Sequence, residues 1–333
     1  MVAQIDSTYI RTRPTRLWSR LVSYVLFEGR PLTTRGRWIN PLVFAHFAIE
    51  KRLPQMKAVK SPVFILGTGR SGTTILGVIL SMHRDVGFLN EPKALWHAVH
   101  GGEDLVGSYT RDPAHYRLPE ASAKTRRDAH RLFGAYLRTT FNRQVIDKYQ
   151  ALTFRIPFIK SIFPDARFIF LSRNGWDTCS SIERWSQIHG KQVKGETHDW
   201  WGADRRKWHL LVDEIVPEHP DLAPHMEALL ALQDHRAMAA VEWITTMREG
   251  LKLTEQEPER VLHVPYESLC RSPAAMAQSL ATFAGLREDK IFINYAETVL
   301  SPRPTCPAFP LPDFLEVPFH TTQAALDRFA EEG

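Results

Sequence analysis

A three-layer α/β fold, a parallel sheet with helices on both faces, is what this sequence predicts, on three observations. Short β-branched and aromatic runs at 62–67, 86–89, 167–172 and 260–264 read as buried strands, alternating little between apolar and polar residues. Long helical connections separate them, as parallel crossovers require. The first run enters a loop carrying Gly67, Gly69 and Gly72, and an apolar helical segment follows from Thr73 to Met82. Strand, glycine-rich loop and helix start are the parts of a phosphate cradle. Glycine lets the backbone approach an anion closely, and the free N–H groups of the first helical turn point at it. In such a sheet the ligand sits at the carboxyl ends of the strands.

Along the chain, residues 1–60 are expected as a basic helical segment packing on the core, 61–300 as the α/β domain and 301–333 as a Pro-rich tail. Residues 1–60 hold eleven Lys or Arg against three acids, while 61–333 hold 31 against 34, so the net charge of +5 comes from the N-terminal segment. Leu17 to Phe27 is partly amphipathic and compatible with an anionic membrane surface. The simpler expectation is an arm that packs on the acidic body or extends the mouth of an anion site. Nucleic acid is not an expected partner, because the arm has no recognition motif. The apolar run Pro41 to Ile49 is too short to span a bilayer, and no contiguous signal-peptide core is visible.

The loop fits more than one frame. Gly67-x-x-x-x-Gly72 has P-loop spacing, but Thr73 stands where the lysine belongs, which argues against a nucleotide kinase. Gly67-x-Gly69-x-x-Gly72 also satisfies the dinucleotide fingerprint, with Glu91 near the expected acidic position, so a nicotinamide-dependent oxidoreductase is the alternative. Neither frame explains Arg70 and Thr73-Thr74. A guanidinium and two hydroxyls at a helix mouth suit a terminal 5′-phosphate.

The string Arg70-Ser71-Gly72-Thr73-Thr74 resembles the 5′-phosphosulfate loop of the sulfotransferases that use 3′-phosphoadenosine-5′-phosphosulfate (PAPS), which keep a P-loop-like fold with a modified loop. Residues 164–185 carry a second likeness: the strand Ala166 to Leu171 leads to Arg173, and Ser181 follows eight residues later on an expected helix. That spacing resembles the family's 3′-phosphate site. Asn90-Glu91-Pro92 matches the place of the carboxylate that takes the acceptor's proton, and Val261 to Leu269 resembles a strand ending in Tyr-Glu-x-Leu. The segment Ile146 to Phe158 resembles one in which a lysine near the transferring sulfuryl group precedes Arg-Ile-Pro, although Tyr149-Gln150 here replaces the family's Thr-Pro. The resemblance covers roughly residues 60–286.

It implies Glu91, Lys148 and Arg70 as catalytic groups, and Gly69, Arg70, Ser71, Gly72, Thr73, Thr74, Arg173, Ser181 and Tyr266 as ligands of PAPS or of its product PAP (3′,5′-diphosphoadenosine). Glu267 is expected to anchor local structure, and Ser301 and Arg303 are candidates to close over the adenosine end. No metal is implied: His97-x-x-His100 lacks a third convincing ligand. The expected reaction is O-sulfation of a small-molecule, carbohydrate or lipid hydroxyl by a bacterial-type cytoplasmic enzyme. A catalytically silent PAPS- or PAP-binding protein is the further alternative. Cys179, Cys270 and Cys306, odd in number and far apart, suit a reducing compartment.

The remaining chain reads as α-rich, with helices at 124–147, 198–216 and 224–250, the last ending at Gly250. Six prolines in 302–318 predict irregular chain. Trp96, Trp185, Trp200, Trp201 and Trp208 border the expected cleft, where core packing is the first expectation and an aromatic wall for the acceptor the second.

Overall fold

The computed structural model describes residues 4–29, 40–107, 109, 115–193 and 195–332; residues 1–3 and 30–39 of the basic segment lie outside them. The elements run α1 (Ser7–Thr12), α2 (Arg16–Val22), α3 (Asn40–Glu50), β1 (Val63–Leu66), α4 (Thr73–Ser81), β2 (Val86–Asn90), α5 (Lys93–His100), α6 (Ala123–Thr139) and β3 (Gln144–Lys148). There follow α7 (Ile156–Ile162), β4 (Arg167–Ser172), α8 (Gly175–His189), β5 (Lys191–Val193), β6 (Glu196–Asp199), β7 (Gly202–Ala203) and α9 (Arg206–Glu214). The chain closes with α10 (Met226–Leu230), α11 (His235–Gln256), β8 (Val261–Pro265), α12 (Tyr266–Arg271), α13 (Pro273–Phe283), α14 (Lys290–Val299) and α15 (Asp313–Glu332). Strands β2-β3-β1-β4-β8 form one parallel sheet in that order, and β5–β7 form a small antiparallel sheet.

The sheet separates two cores. Phe64, Leu66, Phe168 and Phe170 face one, whereas Val63, Ile65, Ile169 and Leu171 face the other. Period-two side-chain alternation in strands covered on both faces is why these runs read as continuously apolar.

The exposed edge of β2 is closed by side chains of the N-terminal segment. Residues 86, 88 and 90 turn their outward backbone groups away from β3. Arg16 Nη2 donates to the Val86 carbonyl, Arg20 Nη1 to the Phe88 carbonyl at 2.7 Å, and the Asn90 N–H donates to Glu28 Oε1 at 2.9 Å. Arg20 and Glu28 are themselves a buried pair at 2.8 Å. Arg13 clamps Asp289 with two bonds of 2.5 and 2.6 Å. Side chains thus satisfy what a sixth strand would otherwise pair.

Four element expectations are corrected. The helix expected over 124–147 ends at Thr139, because Thr139 and Thr140 turn their hydroxyls back on carbonyls four residues earlier and Phe141 takes φ +57°. Gln144–Lys148 then enters the sheet between β1 and β2 as a fifth strand. The helix expected over 198–216 begins only at Arg206, after two short strands. The pattern at 224–250 splits, since Asp234 caps α11 by accepting from Arg236 and Ala237, and α11 runs past Gly250 to Gln256. A Cβ on Gly250 would lie 2.1 Å from the Phe170 ring, so that glycine permits close packing on β4 instead of ending the helix. Irregular chain was expected through 318, yet α15 starts at Asp313 and buries Leu315 and Phe319.

Replacing Arg20 by Met removes the guanidinium that faces buried Glu28 and the Phe88 carbonyl. The expected cost is about 3–5 kcal/mol of stability, read from urea denaturation, with Arg11→Met, at an exposed position, as the near-neutral control.

Candidate active site

Parallel register brings every strand of the large sheet to the same edge, and each ends at a residue singled out above or beside one. Strand β2 leads to Glu91, β3 ends on Lys148, β1 opens the Gly67–Gly72 loop, β4 leads to Arg173 and β8 to Tyr266.

The loop after β1 is packed so tightly that glycine is required at Gly67, where a Cβ would lie 2.5 Å from the Leu171 carbonyl oxygen, and at two further positions. Gly72 has φ +106°, and a Cβ there would sit 2.4 Å from the Tyr266 ring; at Gly69 it would sit 2.4 Å from the Trp200 ring. Ser71 Oγ donates to the Thr68 carbonyl at 2.6 Å and so shapes the loop. Thr73 is buried with its methyl toward Gly67, while Thr74 is exposed at the mouth. The N-terminus of α4 has no side-chain cap, leaving its first-turn N–H groups for an anion.

On one side of the loop a cavity of about 320 Å³ is lined by Arg70, Arg173, Arg184 and Arg303, with Ser181 and the 72–75 backbone. Arg70, at φ +69°, donates from Nε to Ser181 Oγ at 3.3 Å, and Arg173 Nη1 donates to the Arg70 carbonyl at 3.1 Å. Arg173 lies over the Tyr266 ring at 4.5 Å and 3.7 Å from Asp177. Arg70, Arg184 and Arg303 pair with no carboxylate among the described residues. Desolvation, then the neighbouring Arg173, holds the Arg70 guanidinium below its ordinary range. A cluster of like charges of this kind is stabilised by a bound anion. Asp177 also accepts from the Cys306 N–H at 2.7 Å, which draws residues 301–312, including Arg303, over this cavity. Glu267 accepts from the Asn174 N–H at 3.0 Å and anchors the β4 end.

On the other side a cavity of about 400 Å³ holds Glu91, and both cavities are lined by Arg70 and Thr74. Glu91 takes φ +49° and extends the β2–β3 ladder by donating its N–H to the Lys148 carbonyl at 2.6 Å. Its Oε1 accepts from Lys148 Nζ at 2.6 Å and from Gln150 Nε2 at 2.9 Å. Lys148 is therefore not a solvated lysine at a helix end: it is buried at the end of β3 and reaches Glu91 from behind, without lining the cavity. Gln150, which stands where the resemblance expected Thr-Pro, supplies the second bond. Behind Lys148, burial pushes the Asp147 carboxyl well up while Trp96 Nε1 donates to it at 2.9 Å.

Of the tryptophans, Trp96, Trp201 and Trp208 are core, whereas Trp185 and Trp200 line the Glu91 cavity with Tyr109, Tyr116, Tyr149 and Phe154. Trp200 is fixed by donating to Glu242 at 2.6 Å, with Lys207 over its ring at 4.5 Å. Sequence reasoning missed Arg184, Lys207 and Glu242. Gln4 also lines this cavity from the N-terminal segment, its Oε1 accepting from Arg20 Nη2 at 3.0 Å. No spacing in the sequence links these residues to the loop. His100 is a structural group: it bonds Glu103 at 3.0 Å. Among the described residues there is no cluster of three metal-binding side chains. Cys179, Cys270 and Cys306 are free thiols.

Residues 62–226 match the model of the sulfotransferase family, and the chain belongs to that family. Sulfotransferase STF9 from Mycobacterium avium superimposes with a TM-score of 0.50 at 15% identity, covering 99% of this chain and 92% of that one. The sulfotransferase domain of the Synechococcus PCC 7002 olefin synthase gives 0.47 at 18% identity, over 83% of this chain and 97% of that one. A sulfotransferase from Alicyclobacillus acidocaldarius gives 0.44 at 16%, over 82% and 96%. At such identities the first likeness shows a shared P-loop-like fold and nothing about acceptors. No curated protein matches the sequence.

Glu103, which is buried, and His263, which is half-buried, make stability pH-dependent with the same sign. Burial would raise the Glu103 carboxyl, but Arg155, His100 and Tyr149 outweigh it and hold it at about 2, against 4.5 ordinarily. That contribution, about 3 kcal/mol, is present above pH 4.5 and lost as pH falls toward 2. Burial lowers the His263 imidazole to about 4 from 6.5, so its contribution is complete above 6.5 and lost on the way down to 4. Urea midpoints are expected to fall in both windows, and His263→Phe to flatten the upper one while leaving the lower.

Proposed function

We propose that this protein transfers a sulfuryl group from PAPS to a hydroxyl of a small-molecule, carbohydrate or lipid acceptor and releases PAP. The observation that supports this reading best is the pair of cavities that share Arg70 and Thr74. One is walled by arginines; the other holds a carboxylate and aromatic side chains.

The residues present fit the nucleotide. Uncapped N–H groups of α4 and Arg70 suit the 5′-phosphate, and Arg173, Ser181, Arg184 and Arg303 suit the 3′-phosphate. Gly72 lets backbone approach where any Cβ would meet Tyr266. Four arginines around one cavity exceed what the uncharged ribose of NAD calls for, and Thr73 in place of the lysine disfavours a kinase. When bound, PAPS supplies an activated sulfuryl group: its bridging S–O bond breaks as the acceptor oxygen bonds to sulfur.

The chain's own residues do the rest. Glu91 accepts the acceptor's hydroxyl proton, without which a neutral alcohol is a poor nucleophile. Lys148 and Gln150 aim that carboxylate, which makes Lys148 a positioning residue here and not a contact to the transferring group. Arg70 and the α4 N–H groups stabilise the charge that grows on the departing phosphate. Trp185, Trp200 and the tyrosines exclude water and offer faces for the acceptor.

Calorimetric titration with PAP, against NAD and ATP as controls, tests the cofactor. PAP alone is expected to bind, without magnesium; binding of NAD instead would return the loop to the dinucleotide frame. Arg173→Ala is expected to weaken PAP about 10–100-fold, one charge-assisted contact being worth about 1.5–3 kcal/mol. Glu91→Gln should leave PAP affinity unchanged and lower the rate of PAP release from PAPS with a hydroxyl acceptor at least about 100-fold. An unchanged rate would remove Glu91 as the base and leave the cofactor assignment standing.

A further inference from the structure

The outer side of α3 and the turn after α6 expose several large apolar side chains to solvent. Leu42 is 65% exposed, Ile49 58%, Trp18 57% and Phe141 82%. Seven of the thirteen large apolar side chains exposed among the described residues lie within residues 1–60, so this is a concentration and not scatter. Helix α3 buries Val43 and Phe47 on its inner side and exposes Leu42, Ala45, Ala48 and Ile49 on its outer side. A helix apolar on both sides is normally covered on both.

Bonds between neighbouring elements make the surface continuous. Trp18 Nε1 donates to the Thr139 carbonyl at 3.2 Å, Arg138 Nη2 bonds Glu50 Oε1 at 2.6 Å, and Lys57 Nζ donates to the carbonyl of Asn142. A groove of about 470 Å³ between α3 and α5, with Phe44 and Ala48 in it and Lys51 and His97 at its rim, carries the apolar surface inward.

Phe141 is the most telling residue. Its N–H donates to the Arg138 carbonyl and the Asn142 N–H to the Leu137 carbonyl, the bonding of a helix end that favours glycine at Phe141. A phenylalanine at φ +57° there costs the fold and buries almost nothing.

The surroundings identify the occupant. Arg52, which follows α3, and Arg143, two residues after Phe141, are exposed and form no ion pair with a carboxylate among the described residues. Arg13, Arg16 and Arg20 of the N-terminal segment turn inward and are engaged with the core, so the charge that this face shows to solvent is that of its rim. A second copy on this face would bring both sets of these rim cations into one interface with no carboxylate to pair them. An anionic surface would be attracted to them, while tryptophan, phenylalanine and aliphatic side chains enter its apolar boundary.

We propose that this face docks the protein on an anionic lipid surface, with Trp18, Leu42, Ile49 and Phe141 entering the headgroup–acyl boundary and Arg52 and Arg143 meeting lipid phosphates. The proposal stands apart from the reading of the active site, because none of these residues lines either cavity there.

Co-sedimentation of the full chain with phosphatidylcholine vesicles, with and without phosphatidylglycerol, tests it. Binding is expected at least about tenfold stronger to the anionic vesicles and weaker as salt rises. The double variant Leu42→Ser/Ile49→Ser should lose at least about tenfold of that binding while keeping its circular dichroism. Phe141→Gly should move two readouts in opposite directions, raising Tm and lowering vesicle binding. The proposal is overturned if the wild type ignores anionic vesicles, if the variants bind as it does, or if sedimentation velocity finds a dimer that the variants dissolve.

Discussion

The parallel register of five strands is the constraint on which the site depends. Because β2, β3, β1, β4 and β8 all run the same way, their carboxyl ends share one edge. Across that edge the order is Glu91, Lys148, the glycine loop, Arg173 and Tyr266. Neighbouring strands lie about 4.8 Å apart, so Glu91 and Arg173 are separated by three strand spacings, roughly 14 Å, with the loop between them. One antiparallel strand would carry its terminal residue to the opposite edge. The chemistry therefore rests on backbone hydrogen bonding before any side chain contributes.

A parallel sheet of this kind has two problems, and this chain solves them with charge. Its edge strand β2 presents backbone groups with no strand to pair, and Arg16, Arg20 and Glu28 meet them from the N-terminal segment. Burying those charges is favourable only because each also finds a partner. The same bonds fix Asn90, the residue before Glu91, so the segment outside the family-matched region supports the carboxylate. At the other end of the site the solution is inverted: Arg70, Arg184 and Arg303 are gathered without carboxylate partners, and the electrostatic strain of that arrangement is what an anionic ligand relieves.

Much of this was legible in the sequence, for reasons that are local. Gly67, Gly69 and Gly72 between an apolar run and a helix start mark a tight strand–loop–helix turn through backbone geometry alone. Arg173 and Ser181 stood out only because their spacing resembles the family's 3′-phosphate site. What escaped depended on partners far away. Gln144–Lys148 looked like the end of a helix because its five residues carry no strong period of their own; their place between β1 and β2 makes them a strand. Gly250 looked like a helix stop because nothing local reveals the Phe170 ring against it.

The sequence by itself determined the fold class, the glycine-rich turn between β1 and α4 and the family likeness, since each rests on residues a few positions apart whose geometry the backbone enforces. Tertiary structure alone decided that Lys148 stands behind Glu91 instead of facing the cleft, that Trp200 and not Trp201 walls it, and that Arg184 and Arg303 complete the cationic cavity. It also decided which side of α3 meets solvent. These are relations between residues tens to hundreds of positions apart, fixed by packing and by the pairing of buried charges, and no local periodicity records them.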